Sequence, residues 1–177
     1  MDAALPLRAA PAAPAGPALS PSFESLFRRE YVRVAAIAQR IVRDADEAED
    51  VAQDVFVSFY RKHPADAGYA AAWLHAAAAH TALNAIRSRE RRGRRETAHA
   101  HEADRAVDPQ RAAEDAETRE EVRAALARMD ERAASLLALR YSGLSYDEIA
   151  AALGLRKSSI GTLLSRAEDA FRKEVTR

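Results

Sequence analysis

From Ser20 onward, apolar residues recur at intervals of three and four, and strand-like alternation is nearly absent. Phe23, Leu26, Phe27, Tyr31, Val34, Ile37, Ala38 and Ile41 form one stripe, predicting a helix from about Ser20 to Arg43. Pro21 suits its first position. Arg28, Arg29, Arg33 and Arg40 lie off the stripe. A second helix is predicted to open at Asp46, with Glu49 three residues later completing a capping-box pattern. Its buried face is Val51, Ala52, Val55, Phe56, Phe59 and Tyr60, and His63-Pro64 ends it. A short loop follows. A third, Ala-rich helix then runs from about Tyr69 to Arg92, with Trp73, Leu74, Ala77, Leu83 and Ile86 inward and Gly93 as the stop.

From Gly93 to about Asp115 the periodicity fades, and the segment reads as a flexible linker. Helical spacing resumes near Ala116, with Val122, Leu126 and Met129 on one short helix. Asp130 is placed to cap the next, which carries Ala134, Leu137, Ala138 and Tyr141; Gly143 stands where a C-terminal glycine belongs. Ser145 with Glu148 is a full capping box before Ile149, Ala150 and Leu153. Gly154 turns the chain into a last helix from about Ser158, with Ile160, Leu163, Leu164, Ala167 and Phe171. Helix, short Gly-containing turn, helix is the layout of a helix-turn-helix, whose second helix enters a major groove. The fold class is all-α: a three-helix unit over 21–92, a linker over 93–115 and a helix-turn-helix unit over 116–177.

Composition narrows the chemistry. The chain has 177 residues, and an apolar share of 48% that leans on alanine, so thin helical cores fit better than one large core. With no cysteine, disulfides and thiolate metal sites are excluded. The first 20 residues carry Asp2 and four prolines, Pro6, Pro11, Pro14 and Pro17; they read as an extended tail, not a secretory signal. No apolar run reaches the ~18–20 residues of a spanning helix, so a cytoplasmic protein without membrane insertion follows by default. His99 and His101 lack helical metal-ligand spacing, Ser145 has no activating His nearby, and no Gly-rich phosphate loop exists. We therefore expect no metal, no cofactor and no catalytic residue.

Charge changes the picture more. Lys plus Arg and Asp plus Glu are both 27, a balance that points away from a uniformly basic nucleic-acid binder. The zero is a sum of blocks. Residues 44–54 hold six acids and no base, and 87–95 hold six Arg against Glu90. Residues 102–121 are net acidic by five, and 156–177 net basic by three. Each basic block ends a helical unit, where it suits phosphates. The acidic block on the second helix reads as a protein-docking surface, or as acid complementing the helix dipole.

Three strings together resemble one family. Ala48-Glu49-Asp50-Val51-Ala52-Gln53-Asp54-Val55-Phe56 resembles the core-binding helix of bacterial sigma factors of the extracytoplasmic-function type. Ala72-Trp73-Leu74, followed by an Arg-rich helix end, resembles that family's promoter-melting and −10-reading helix. Gly143-Leu144-Ser145-Tyr146-Asp147-Glu148-Ile149-Ala150, then Leu153-Gly154 and Ser165-Arg166-Ala167, resembles its −35-reading helix-turn-helix. The match runs from about Phe23 to Arg172 in the family's order, with domains 2 and 4 and no domain 3.

The resemblance implies roles by position. Glu49, Asp50, Gln53 and Asp54 would dock on the clamp helices of RNA polymerase β′. Trp73, His80, Asn84, Arg87, Ser88 and Arg91 would hold the −10 element, with the loop from His63 to Tyr69 as pocket for an unstacked base. Arg156, Lys157, Ser158, Ser159, Thr162 and Arg166 would contact the −35 element. The implied partners are the polymerase core (β′ and β), promoter DNA and an anti-sigma factor. The chain departs from the family in His80 for Asn, Asn84 for Asp, and in Gly161, Leu163 and Glu168 where basic residues are common. Fewer cations weaken the phosphate contribution, and Gly161 would allow close backbone approach to DNA. Two other readings stay open: a stand-alone helix-turn-helix regulator, and a sigma mimic titrating an anti-sigma protein.

Overall fold

The computed structural model describes residues 19–96 and 109–176, and every regular element among them is a helix. The order is α1 (Pro21–Val42), α2 (Ala45–Lys62), α3 (Ala70–Glu96), α4 (Pro109–Arg128), α5 (Glu131–Tyr141), α6 (Tyr146–Leu153) and α7 (Lys157–Val175).

Local chemistry sets most helix ends. Ser20 caps α1 by accepting from the Phe23 N–H at 3.3 Å, and Pro21 supplies the fixed φ of a first turn. Arg43 closes α1 in the left-handed region at φ 60°, and its N–H reaches the Gln39 carbonyl at 3.1 Å. The next residue, Asp44, caps α2 by accepting from the Glu47 N–H at 2.9 Å. The predicted cap at Asp46 is thus displaced by one carboxylate earlier in the same acidic run. Asp130 caps α5 through the N–H groups of Arg132 and Ala133. Ser145 and Glu148 make the predicted capping box in full: Ser145 Oγ accepts from the Glu148 N–H, and the Glu148 carboxylate accepts from the Ser145 N–H at 2.8 Å. Gly154 ends α6 at φ 63°, a conformation a Cβ would strain.

Two boundaries are wider than the periodicity predicts. Helix α3 passes Gly93 and ends at Glu96, and α4 begins at Pro109 rather than near Ala116. The tail over 1–18 and the centre of the predicted linker, 97–108, with His99 and His101, lie outside the described residues.

In the N-terminal unit, α1 lies across α3 and α2, and all three pairs pack. Leu26, Val34, Ile37, Ile41, Phe59, Leu74, Leu83 and Ile86 are buried. Each large side chain so buried contributes about 1.5–3 kcal/mol. Tyr60, predicted inward, is exposed, with its ring edge against Phe23 at 4.8 Å. In the C-terminal unit α7 packs on α4, α5 and α6 around Leu136, Leu139, Leu144, Ile149 and Ile160. The two units share one continuous core, because α3 also packs against α4, α5 and α6. Among the described residues, no helix is long and apolar enough to cross a membrane.

Candidate functional site

The acidic face of α2 is the simplest of three surfaces. Val51, Ala52, Val55, Phe56 and Phe59 turn into the core, which leaves Glu49, Asp50, Gln53 and Asp54 exposed at helical spacing on the opposite side. Gln53 Nε2 donates to Glu49 at 3.3 Å. Burial, and then the charge and hydrogen bond of Glu49, push the Tyr31 phenol up. The four side chains stand together as an anionic patch.

The second surface is built on α3. Trp73 is half-buried, 5.4 Å from the Phe59 ring and 4.7 Å from His63. Tyr69 stands edge-on to His63, and its hydroxyl lies 3.4 Å from His63 Nδ1. Loop and helix therefore meet in an aromatic cluster whose outer member, Tyr69, is exposed. Farther along α3, Ser88 accepts from Arg91 at 3.0 Å, and Arg91 and Arg92 are exposed.

His80, Asn84 and Arg87 do not stand free. His80 Nδ1 lies 2.5 Å from Glu131 Oε1, and Asn84 bonds His80 Nε2 at 2.9 Å. Arg87 donates to Glu131 at 3.1 Å and to the Ala127 and Met129 carbonyls at 3.3 and 3.0 Å. The hydrogen bond from His80, with the charges of His80 and Arg87, holds the Glu131 carboxyl below its ordinary range.

The third surface is the start of α7. Arg156, Lys157, Ser158, Thr162 and Arg166 are exposed and Ser159 is half-buried. Arg156 occupies the cap position without a side-chain cap bond; the Ser159 N–H donates to the Arg156 carbonyl at 3.0 Å, and the N–H groups of Lys157 and Ser158 at the helix start suit an anion. Lys157 pairs with Asp147 at 2.8 Å. Gly161 does not serve close backbone approach from outside. The direction its Cβ would take meets the Tyr146 ring at 3.8 Å, against α6. Leu163 packs on the core, and Glu168 accepts from the Tyr141 hydroxyl at 3.2 Å.

The sequence reading missed a buried polar pair. His75 Nε2 lies 3.0 Å from Glu30 Oε2, with both side chains at most 8% exposed. Burial pushes the His75 imidazole down, against the opposing pull of Glu30. The signal was present: Glu30 falls between Leu26 and Val34 on the apolar stripe of α1, where a carboxylate needs a partner. Glu131, also missed, leaves no such local sign. No group of three or more potential metal ligands occurs among the described residues.

These surfaces define a helical protein with one anionic face and two candidate nucleic-acid faces. Residues 26–92 match the family Sigma-70 region 2, and residues 119–170 match Sigma-70, region 4. The chain is 30% identical to the RNA polymerase sigma-H factor of Pseudomonas aeruginosa, over 86% of this chain and 85% of that protein. It is 29% identical to the ECF RNA polymerase sigma factor SigE of Mycolicibacterium smegmatis, spanning 62% of that relative's length. Its fold is similar to that of CnrH solved with the cytosolic domain of CnrY (TM-score 0.54, 21% identity, 85% of each chain). It is similar also to the sigma factor RpoE solved with the anti-sigma factor NepR from Bartonella quintana (TM-score 0.52, 20% identity, 87% and 96% of the chains). The chain belongs to the sigma-70 family and is a sigma factor of the extracytoplasmic-function type.

Proposed function

We infer that the chain directs transcription by docking on the RNA polymerase core through Glu49, Asp50, Gln53 and Asp54 and carrying promoter DNA on α3 and α7. The observation that carries this is the division of α2: one side is core, and the other is an exposed patch of acids with no lysine or arginine between residues 44 and 54. A patch of that charge repels DNA and suits a basic protein surface. On α3, the Tyr69–His63–Trp73 cluster supplies an aromatic wall for an unstacked base, while His80, Asn84, Arg87, Ser88 and Arg91 supply polar edges and phosphate grip. On α7, Arg156, Lys157, Ser158, Ser159, Thr162 and Arg166 surround an uncapped helix N-terminus suited to duplex phosphate and base edges.

In this reading the protein is not an enzyme: the catalysis is the polymerase's, and this chain supplies position. An anti-sigma protein is the regulating partner, as CnrH and RpoE were each solved with a protein partner, RpoE's being named an anti-sigma factor. The test is co-elution of the chain with purified core polymerase. Glu49→Lys with Asp50→Lys is expected to abolish it without lowering Tm, because both side chains are exposed. Undiminished co-elution would remove α2 as the docking face.

A further inference from the structure

A cavity of about 290 Å³ opens where the end of α1 meets α4, α5 and α7. Its floor is apolar: Val122 and Leu126 from α4, Leu137 from α5 and Phe171 from α7. Leu126 and Leu137 are buried, and Val122 and Phe171 are half-buried. Its rim is basic. Arg40, Arg43 and Arg172 line it, against the single acid Glu168. Glu168 already accepts from the Tyr141 hydroxyl at 3.2 Å, and Arg172 donates to Asp169 at 2.8 Å in an exposed pair. Asp44, the acid next to Arg43 in the chain, caps α2 at the Glu47 N–H. Among the described residues, Arg40 and Arg43 carry no side-chain hydrogen bond or ion pair.

Arg43 is unusual in a second way. Among the described residues it is the one non-glycine with a positive φ, at 60°. Glycine is the ordinary occupant of such a cap, because a Cβ is strained there. The turn uses only the backbone N–H of Arg43, which reaches the Gln39 carbonyl, so the guanidinium has no task in the local structure. Strained residues of this kind gather at ligand clamps.

An apolar floor under unpartnered guanidiniums matches a molecule with an apolar body and an anionic head. The body leaves water on the floor, and each guanidinium presents the fork that a carboxylate takes in two parallel hydrogen bonds. The volume is that of roughly ten water molecules at ~30 Å³ each, which limits the body to a short chain or one ring.

We propose that this cavity binds a small free monocarboxylate with an apolar body of about eight carbons, its head held by Arg40 and Arg43. The cavity shares no residue with the α2 patch, the α3 face or the start of α7, so the proposal does not rest on the polymerase or DNA readings.

The probe is octanoate, titrated below its micellar range into the isotope-labelled full-length chain and followed by amide chemical shifts. The expected Kd is on the order of 1 mM, ordinary for a ligand of about ten heavy atoms. Shifts should centre on Arg43, Val122, Tyr141 and Phe171. Acetate, the head without the body, should not bind, and octanol, the body without the head, should bind about tenfold more weakly. The deciding variant is Arg43→Gly, because glycine suits the backbone at that position. Its Tm should stay within about 2 °C of the native value while octanoate binding weakens about five- to tenfold. Arg43→Lys should fall between. Absent shifts, or shifts spread over other surfaces, overturn the site. Equal octanoate affinity in Arg43→Gly and the native chain, or octanol binding as tightly as octanoate, overturns the role of the arginines. Binding of an acidic peptide with one central leucine at these amides, without octanoate binding, assigns the cavity to a protein segment and overturns the small-acid proposal.

Discussion

Consider His75→Ala. In the native protein His75 is 2% exposed and Glu30 8%, and they meet at 3.0 Å between α3 and α1. Removing the imidazole opens a cavity and strands a buried carboxylate. Breaking such a pair from one side costs about 3–5 kcal/mol. Glu30 does not lose everything, because Arg29 Nε still donates to Oε1 at 2.9 Å, although the Arg29 side chain is 60% exposed. That partial compensation lowers the expected loss to about 2–4 kcal/mol. For a chain of this length the corresponding fall in Tm is about 5–15 °C. The assay is urea unfolding followed by circular dichroism at pH 7.5, run as a double-mutant cycle with Glu30→Leu, His75→Leu and the double variant. The double variant removes both polar groups and is expected within about 1 kcal/mol of the native protein. A loss below about 1 kcal/mol in His75→Ala, or a double variant no better than the worse single, would mean that the two side chains are not coupled as a buried pair.

Other outcomes follow from the same geometry. Burial holds the His75 imidazole below its ordinary value, so the unfolded chain binds more protons; stability is expected to decline as pH falls below about 6.5. That slope should be absent in the Glu30→Leu/His75→Leu variant when unfolding is measured from pH 7.5 to 5.5. Glu131 and Glu148 are held below the carboxylate range, the first mainly by His80 and the second mainly by the Ser145 N–H. Their contribution is therefore present above the ordinary carboxylate pKa and lost as pH falls through the lowered values, a second decline that Glu148→Gln should reduce. Ser145→Ala removes one half of the capping box on α6 and should cost about 1 kcal/mol, a fall in Tm of about 2–4 °C. Gly161→Ala should be tolerated and raise stability by about 0.5–1 kcal/mol by urea titration, since the new Cβ meets Tyr146 at ordinary contact distance within a helix.

What was legible in the sequence was local. Ser20, Asp130 and the Ser145–Glu148 box act within three residues of themselves, so their pattern alone marks the helix starts. The α2 cap was misread because Asp44 and Asp46 are equally good acceptors, and only the backbone turn at Arg43 decides between them. Gly93 failed as a stop because a glycine costs a helix interior only about 1 kcal/mol, too little to end α3. Pro109 was itself a start signal, masked by the scarcity of large apolar residues after it. The surface side chains of α2 and α7 were named from the family resemblance; helical spacing adds only which side of the helix each residue takes. The grip of Glu131 on His80 and Arg87 could not be named, since it joins residues 51 and 44 positions apart and no local period records it.

The activity at stake is the promoter choice that this chain gives a polymerase. Its most direct measurement is in vitro transcription with purified core enzyme on fragmented genomic DNA from the native host, with sequencing of RNA 5′ ends. Adding the chain is expected to produce a small set of discrete start sites sharing upstream −35 and −10 elements. Glu49→Lys with Asp50→Lys is expected to abolish them. Start sites identical to those of core enzyme alone would mean that the chain does not direct promoter choice.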